Sequence, residues 1–361
     1  MIRDLRSLKG IPVVACSLVW DNGYPVDGTS PLTRYFDDAP VRGFWLQSVD
    51  DGRGQVWAGL FRDSDGNGAM EFAPPETPLR PGRWTREVNF LGWQPYASSA
   101  EKESPQEPPP QADLPAGRLR LSMQWREPHD PAFWEKGDPY RVPLADIGLM
   151  ILRQRDPAGT RLPADDLEVV AQSSGWPVRL DNEPDAATYE QSVEFAVQQP
   201  GRYALRVSGR VPPSIRPPSQ PTLPALETVW ELRPRIYVEA LDSPAAGGRP
   251  IFLDYATSLG TIGTPADAHQ VISVGAVGPK GQPEPTAPAG PAWDQALHPK
   301  PDILSFDRIT SAGARGSATA GPGTASAFAA GSVACALSGR IPAIQVWQAL
   351  HAKPGSTIRL P

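Results

Sequence analysis

The most explicit binding pattern in the chain is a run of alternating oxygen-bearing side chains. The run is Asp63-Ser-Asp65-Gly-Asn67-Gly, and Glu71 follows closely. Alternating oxygens with a glycine at the sixth place are how a loop wraps Ca²⁺. An EF-hand loop would end on a glutamate at the position that Pro74 occupies here. The run therefore has two interpretations: an Asp/Gly turn between strands, or a structural calcium site formed by these three residues and Glu71.

Histidines and cysteines, the usual zinc ligands and catalytic bases, are scattered. No two of them have ligand spacing, so zinc is not expected. Cys16 and Cys335 lie in apolar runs typical of buried free thiols. Nothing in the sequence brings a histidine beside a nucleophile, so all four are interpreted as surface or structural residues. They are His129, His269, His298 and His351.

Composition narrows the class of protein. The 361 residues suggest about two domains. A formal net charge of −6 without any basic run argues against a nucleic-acid or anionic-membrane partner. No segment has the length of a membrane span, and no signal peptide is visible at the start. Proline, at 44 residues, far exceeds its usual share of about 5%, so we expect strands and loops with few long helices.

The order of apolar segments predicts an α/β domain interrupted by an all-β insertion. Residues 1–57 contain two continuous apolar runs, IPVVACSLVW and VRGFWLQSV, separated by the helix-like segment PLTRYFDDAP. Such runs suit strands buried on both faces of a parallel sheet. Residues 236–361 return to this character with the strands IYVEAL, IFLDYA and VISVGAV, a small-residue helix over 323–338 and the amphipathic helix PAIQVWQALHA.

Residues 58–235 show a different pattern. Segments such as LRLSMQW and YALRV alternate apolar and polar residues with a period of two, and turn residues separate them. This arrangement is typical of an antiparallel sandwich. Two proline-rich stretches, 104–115 and 211–224, are predicted as extended linkers or surface loops.

Several tryptophans of this part could serve a ligand. Exposed indoles would form a stacking platform for a carbohydrate, whereas buried core tryptophans are the alternative. The candidates are Trp84, Trp93, Trp134 and Trp176.

Five segments together resemble the subtilisin-like serine peptidases (subtilases). PADAHQVISVGAV at 265–277, KPDIL at 300–304 and GPGTASAFAAG at 321–331 are similar, in that order, to a sheet strand, the segment before the nucleophile, and the nucleophile signature. VVACSLVWDNG and FWLQSVDDGRG resemble two strands at the substrate cleft, the second ending at the oxyanion-hole asparagine. The resemblance covers about half of the chain. It implies the C-terminal portion of a subtilisin-like parallel sheet, incomplete here and interrupted by the antiparallel sandwich.

The resemblance implies a chemistry that this chain does not complete. Subtilases use Asp, His and Ser in that order, with donors for the oxyanion, and the Asp and His segments would precede the first matched strand. Aligning the Ala-Gly pair at 330–331 places Gly323 at the nucleophile position. Aligning the Gly-Thr pair places Ala325 there, and one further shift offers Ser326. Asp51 falls on the oxyanion asparagine, where an ionised carboxylate only accepts hydrogen bonds.

Three functions stay open. Ser17, Leu18 and Val19 fall on the segment that would line the substrate cleft, so the first is a non-catalytic homologue that binds peptides or proteins. The second is the C-terminal part of an active serine endopeptidase, completed by an upstream subtilase segment, with Met1 placed too late as the start. The third is a carbohydrate- or protein-binding sandwich. Calcium aside, no cofactor is expected, and kinship with a mostly exported family is the one indication of compartment.

Overall fold

The computed structural model divides the chain into two units. Unit 1 comprises residues 1–53 and 257–361, and unit 2 comprises residues 54–256. Unit 2 is therefore inserted into unit 1. The structure describes residues 12–26, 28–38, 43–49, 52, 54–79, 83, 85–95, 110–128, 143–156, 166–180, 186–211, 232–242, 247–257, 260–277, 288–290, 300–306, 309–310, 318–319, 322–351 and 356–357.

The described elements follow one another in three blocks. The first block of unit 1 contains β1 (Val13–Cys16), α1 (Pro31–Asp37) and β2 (Phe44–Ser48). Unit 2 contains β3 (Val56–Ala58), β4 (Asn89–Gln94), β5 (Gly117–Pro128), β6 (Asp146–Gln154), β7 (Leu167–Gln172), β8 (Val178–Arg179), β9 (Ala186–Val197), β10 (Tyr203–Arg210), β11 (Arg235–Ala240) and β12 (Arg249–Phe252). The second block of unit 1 contains β13 (Ile272–Val277), β14 (Ile303–Phe306), β15 (Ile309–Thr310), β16 (Ala318–Thr319), α2 (Pro322–Ser338), α3 (Ala343–His351) and β17 (Ser356–Thr357).

Five strands of unit 1 form one parallel sheet in the order β1-β2-β13-β14-β17. The predicted parallel arrangement of VVACSL, FWLQSV and VISVGAV is confirmed, because β1 pairs with β2 and β2 pairs with β13. Strands β2 and β13 are buried along their whole length, as expected of apolar runs covered on both faces. β1 lies at one edge of the described sheet and is only partly buried.

Helices cover both faces of this sheet. Leu46 and Trp45 are neighbours in β2, so their side chains point to opposite faces. On one face, the fully buried Ala325 and Ala329 of α2 lie in the same cluster as Leu46. On the other face, Phe36 of α1 meets Trp45 edge to face, with ring centroids 4.9 Å apart. None of the described helices has the length and apolarity needed to cross a membrane.

The outward side of α2 is also made of small residues. Ala327, Gly331 and Ala334 are exposed, and so is Cys335, whereas Cys16 is half-buried. The interpretation of Cys335 as a buried thiol is therefore wrong. A helix with small residues all round carries no periodic pattern that marks its buried side, which is why the apolar run around Cys335 was misleading.

Two five-stranded antiparallel sheets make up unit 2. Their strand orders are β12-β4-β10-β6-β7 and β3-β11-β5-β9-β8. Alternate side chains of both sheets, such as Leu121 and Met123 of β5 and Leu205 and Val207 of β10, lie in one hydrophobic cluster. The antiparallel strands predicted from the period of two are confirmed, because apolar residues at every second position place one face of each strand on this core.

The strands after residue 235 differ from the sequence expectation. β11 pairs antiparallel with β3 and β5, and β12 pairs antiparallel with β4. Both therefore belong to unit 2, which ends at Ala256, and not to the α/β part where the sequence placed residues 236–361. A short apolar strand has the same composition in a parallel and in an antiparallel sheet, so the pattern alone does not assign it.

Candidate functional site

The predicted cleft segment, Ser17 to Val19, continues directly from the carboxyl end of β1. Its backbone is held by Gln47 of β2, which donates from Nε2 to the carbonyl oxygen of Leu18 at 2.8 Å. Oε1 of the same amide accepts from Nε1 of Trp45 at 3.1 Å, so the orientation of Gln47 is set from both ends. Ser17 is exposed and Leu18 is 50% exposed. The segment therefore has a fixed backbone and presents side chains outward.

A second loop of unit 1 holds the far end of this segment. The backbone amides and carbonyls of Trp20 and Thr264 exchange two hydrogen bonds, at 2.8 and 3.0 Å. A Cβ at Gly263 would lie 2.2 Å from Cγ1 of Val19, so only glycine permits this approach. Val19 is thereby packed against the backbone of the loop, and the extended segment is fixed at both ends.

The start of α2 lies next to this segment. A Cβ built on Gly323 would be 3.1 Å from Cβ of Ser17, so the structure brings the predicted nucleophile position and the predicted cleft segment together. Ala325 is fully buried in the cluster between α2 and the sheet. Asp51, the predicted oxyanion position, lies outside the described residues.

Ser326 points away from this corner. Its hydroxyl donates to the carbonyl oxygen of Gly323 at 2.9 Å, and the residue is only 1% exposed. This is a bond to the preceding turn of the same helix, a common arrangement for serine within helices. None of the three candidate positions therefore presents a hydroxyl to solvent.

Of the four histidines, His269 is the one whose side-chain exposure the structure describes, and it lies far from this corner. His269 precedes β13 and is exposed; its neighbour Gln270 donates its backbone N–H to Asp37 at the end of α1. Since β13 runs parallel to β1, this position lies by the amino ends of the strands, whereas Ser17 follows a carboxyl end. His351 ends α3, and the two remaining histidines lie outside the described residues.

The segment KPDIL has a structural role, because its Lys300 and Asp302 hydrogen-bond to residues at the start of β13. Lys300 is buried, and its ammonium group donates to the carbonyls of Ala268 and Val271 at 2.9 and 3.1 Å and to the carboxylate of Asp302 at 2.8 Å. Asp302 also accepts from the backbone N–H and the hydroxyl of Ser273, both at 2.7 Å. The charge of Lys300 is thus paired and hydrogen-bonded, and it ties the entries of β13 and β14 together.

The alternating oxygens at 63–71 hydrogen-bond within their own loop. Asp65 accepts from the backbone N–H of Asn67 at 3.1 Å, Asn67 accepts from that of Ala69 at 2.7 Å, and Asp63 accepts from that of Gly68 at 3.2 Å. Such bonds are characteristic of Asp and Asn in turns. The described residues contain no group of three His, Cys, Asp or Glu side chains arranged to hold a metal ion. The turn interpretation accounts for these contacts, and calcium binding by Asp63, Asp65, Asn67 and Glu71 stays a prediction.

The tryptophan candidates separate into two kinds. Trp93 is 1% exposed and donates from Nε1 to the carbonyl of Gly247 at 3.2 Å, so it belongs to the core and not to a platform. Trp176 is 77% exposed. Trp84 and Trp134 lie outside the described residues.

Unit 2 contains a buried carboxylate that sequence reasoning missed. Oε1 of Glu127 accepts from Nε1 of Trp125 and the backbone N–H of Ala145, both at 2.8 Å, and Oε2 accepts from that of Leu144. Burial raises the pKa of Glu127 above its ordinary value, although these three donors act in the opposite direction. The single available signal was a glutamate close to a strand tryptophan, which is too common to identify it.

Comparison with known proteins yields little. No protein-family model matches the chain, and no curated protein matches it. Among solved structures, the chain is similar to the Clostridium perfringens CspB protease, with 15% sequence identity and a TM-score of 0.48. The similarity covers 97% of this chain and 58% of the protease, so the chain spans little more than half the length of that protein.

Proposed function

We propose that this chain is a non-catalytic relative of the subtilisin-like serine peptidases, with a β-sandwich inserted into its parallel-sheet unit, and that it binds extended peptides along Ser17–Val19. The observation that carries the proposal lies at the start of α2. There Gly323, which has no side chain, adjoins the cleft segment at Ser17, and the nearest serine of the helix is turned inward.

Loss of the nucleophile is supported by packing as well as by residue type. A side chain at Gly323 would begin 3.1 Å from Cβ of Ser17, closer than comfortable carbon–carbon contact. A serine there would therefore require Ser17 to move. Ala325 and Ser326 are buried, so neither is placed to attack a peptide bond in the cleft.

Peptide binding is supported by the edge position of β1. The only described neighbour of β1 is β2, and an extended peptide can add to such an exposed edge through backbone hydrogen bonds. Because Gln47 holds the carbonyl of Leu18, the segment does not have to order itself on binding, which lowers the entropic cost. Leu18, half-exposed, provides an apolar contact for alternate side chains of the peptide.

The test is binding of fluorescein-labelled casein, a flexible protein probe, followed by fluorescence anisotropy. We expect Leu18→Asp to weaken binding by more than about tenfold, because a charge replaces the apolar contact beside the edge. The matched control is Ile344→Asp, since Ile344 is an aliphatic residue of α3 that is 62% exposed. This control should bind as the wild type does.

Two outcomes would overturn the proposal. Equal binding by wild type and Leu18→Asp, or no binding by either, would remove Ser17–Val19 as the peptide site. A time-dependent fall of the anisotropy below that of free intact casein would mean cleavage. Cleavage would favour the alternative, an active serine endopeptidase.

A further inference from the structure

Unit 2 contains a surface cavity with no role in the proposed peptide binding. Its volume is about 470 Å³, within the range of small-molecule sites in proteins. It opens where the connection into β6 meets the turn between β7 and β8. The residues that matter for its chemistry are Pro143, Asp146, Gly175, Trp176, Pro177 and Gln191.

The indole of Trp176 gives this cavity an apolar wall. Trp176 has the largest exposed fraction, 77%, of the large hydrophobic side chains that the structure describes. It stands between Gly175, whose φ is +82°, and Pro177. The left-handed glycine and the restricted φ of proline set the turn that presents the ring outward. A tryptophan placed in this way offers a flat stacking face.

The polar groups of the cavity are hydrogen-bond acceptors. Nε2 of Gln191 donates to the carbonyl of Gly175 at 3.1 Å, which leaves its Oε1 as the atom that can accept. That Oε1 is buried and has no hydrogen-bond partner among the described residues, and a buried acceptor without a donor is costly. Asp146 adds an exposed carboxylate. Among the described residues that line the cavity there is no Lys or Arg, so these residues disfavour anions.

One side of the cavity, the rim segment 143–146, is fixed by hydrogen bonds to a buried side chain of β5. The buried carboxylate of Glu127 accepts the backbone N–H groups of Leu144 and Ala145. These two residues lie between Pro143 and Asp146, so the middle of this rim segment is tied to strand β5. A site held in place in this way does not need to order its backbone on binding.

We propose that the Trp176 cavity binds a neutral carbohydrate. A sugar ring has an apolar C–H face that suits the indole, and hydroxyl groups that can donate to the exposed carboxylate of Asp146. Uncharged donors match a cavity whose described lining offers an acceptor and no cation. The proposal concerns unit 2 alone and does not depend on peptide binding by unit 1.

The test uses the full chain on an array of neutral mono- and oligosaccharides, followed by titration calorimetry with the strongest binder. We expect Trp176→Ala to weaken binding by more than about tenfold, and Trp176→Phe by less, because a phenyl ring keeps part of the stacking face. Asp146→Asn should weaken binding by a few fold, since its amide retains one acceptor. The matched control is Val169→Ala, which removes another exposed apolar side chain, 55% exposed on β7, and should bind as the wild type does.

The outcomes are decisive because the side chain of Trp176 is mostly in solvent. Trp176→Ala should unfold at the same temperature as the wild type, so loss of binding would report the site and not the fold. Absence of binding to every neutral glycan would overturn the proposal. Unchanged affinity of Trp176→Ala would also overturn it, as would selective binding of arginine- or lysine-rich peptides in place of glycans, the result expected if the indole and Asp146 hold a cation.

Discussion

The two units differ in how accessible their candidate functional side chains are. In unit 1, the helix that resembles a nucleophile signature presents no hydroxyl from its three candidate positions, and Ser326 is bonded into its own helix. In unit 2, predicted from the sequence as an antiparallel sandwich, the indole of Trp176 is 77% exposed, and Oε1 of Gln191 has no hydrogen-bond partner among the described residues. The difference shows that resemblance to a catalytic motif and availability of functional groups are separate properties of a chain.

The units also differ in how they are packed. Unit 1 brings a helix close to a parallel sheet through alanines such as Ala325 and Ala329. Unit 2 fills the space shared by its two sheets with large side chains, among them the fully buried Trp57, Trp93 and Trp125. Close packing through small residues tolerates little added volume. A core of large aromatic side chains is instead stabilised mainly by the large apolar area that each of them buries.

Adding volume beneath α2 tests the first half of this comparison and should give the larger effect on stability. Ala325→Leu places three more carbons at a fully buried position and should lower the free energy of unfolding by about 1–3 kcal/mol. The matched control is Ala327→Leu, at an exposed position of the same helix, which should change it by less than about 0.5 kcal/mol. Urea unfolding measures both, and equal effects would mean that α2 does not lie on the sheet as described.

Titration of the buried Glu127 tests the account of unit 2. We expect a smaller effect on the free energy of unfolding than that of Ala325→Leu in unit 1. Its pKa in the folded chain is raised by burial, so the folded state holds the proton more tightly than the unfolded state does. The stabilising contribution is therefore complete below the ordinary value of 4.5 and is lost as the pH rises through the raised value. Each unit of difference in pKa corresponds to about 1.4 kcal/mol.

The measurement is the free energy of unfolding as a function of pH for the wild type and for Glu127→Gln. The variant cannot titrate at this position, so the wild type should lose stability relative to it as the pH rises above 4.5. The variant should be less stable throughout, because an amide nitrogen would face the N–H of Leu144 or Ala145. Parallel curves would show that Glu127 does not titrate in this range.

The sheets were predictable from the sequence where a pattern is specific. Continuous apolar runs predicted the parallel strands β1, β2 and β13, and a period of two predicted the antiparallel strands. β11 and β12 were assigned to the wrong unit, because pairing partners distant in sequence decide between two sheets and leave no local mark. The turn residues Gly175 and Pro177 do leave such a mark, and they could have separated the exposed Trp176 from the strand residue Trp93.

The site was only partly predictable. Motif alignment placed Gly323 near the cleft segment, and the structure brings Gly323 beside Ser17. Alignment could not show that Ser326 bonds within its helix, since this depends on a rotamer and on burial against the sheet. Nor could it show that Gln47 holds Leu18, because that contact spans 29 positions of the chain.

The proposal that this chain has no reactive serine is tested most directly by a fluorophosphonate probe, which modifies activated serine hydroxyls. The full chain and Ser326→Ala are incubated with the probe, and intact masses are measured beside an active serine peptidase as the positive control. The account predicts no mass increase for either form of this protein, because the hydroxyl of Ser326 is buried and bonded to its own helix. A stoichiometric adduct on the wild type that Ser326→Ala abolishes would contradict it.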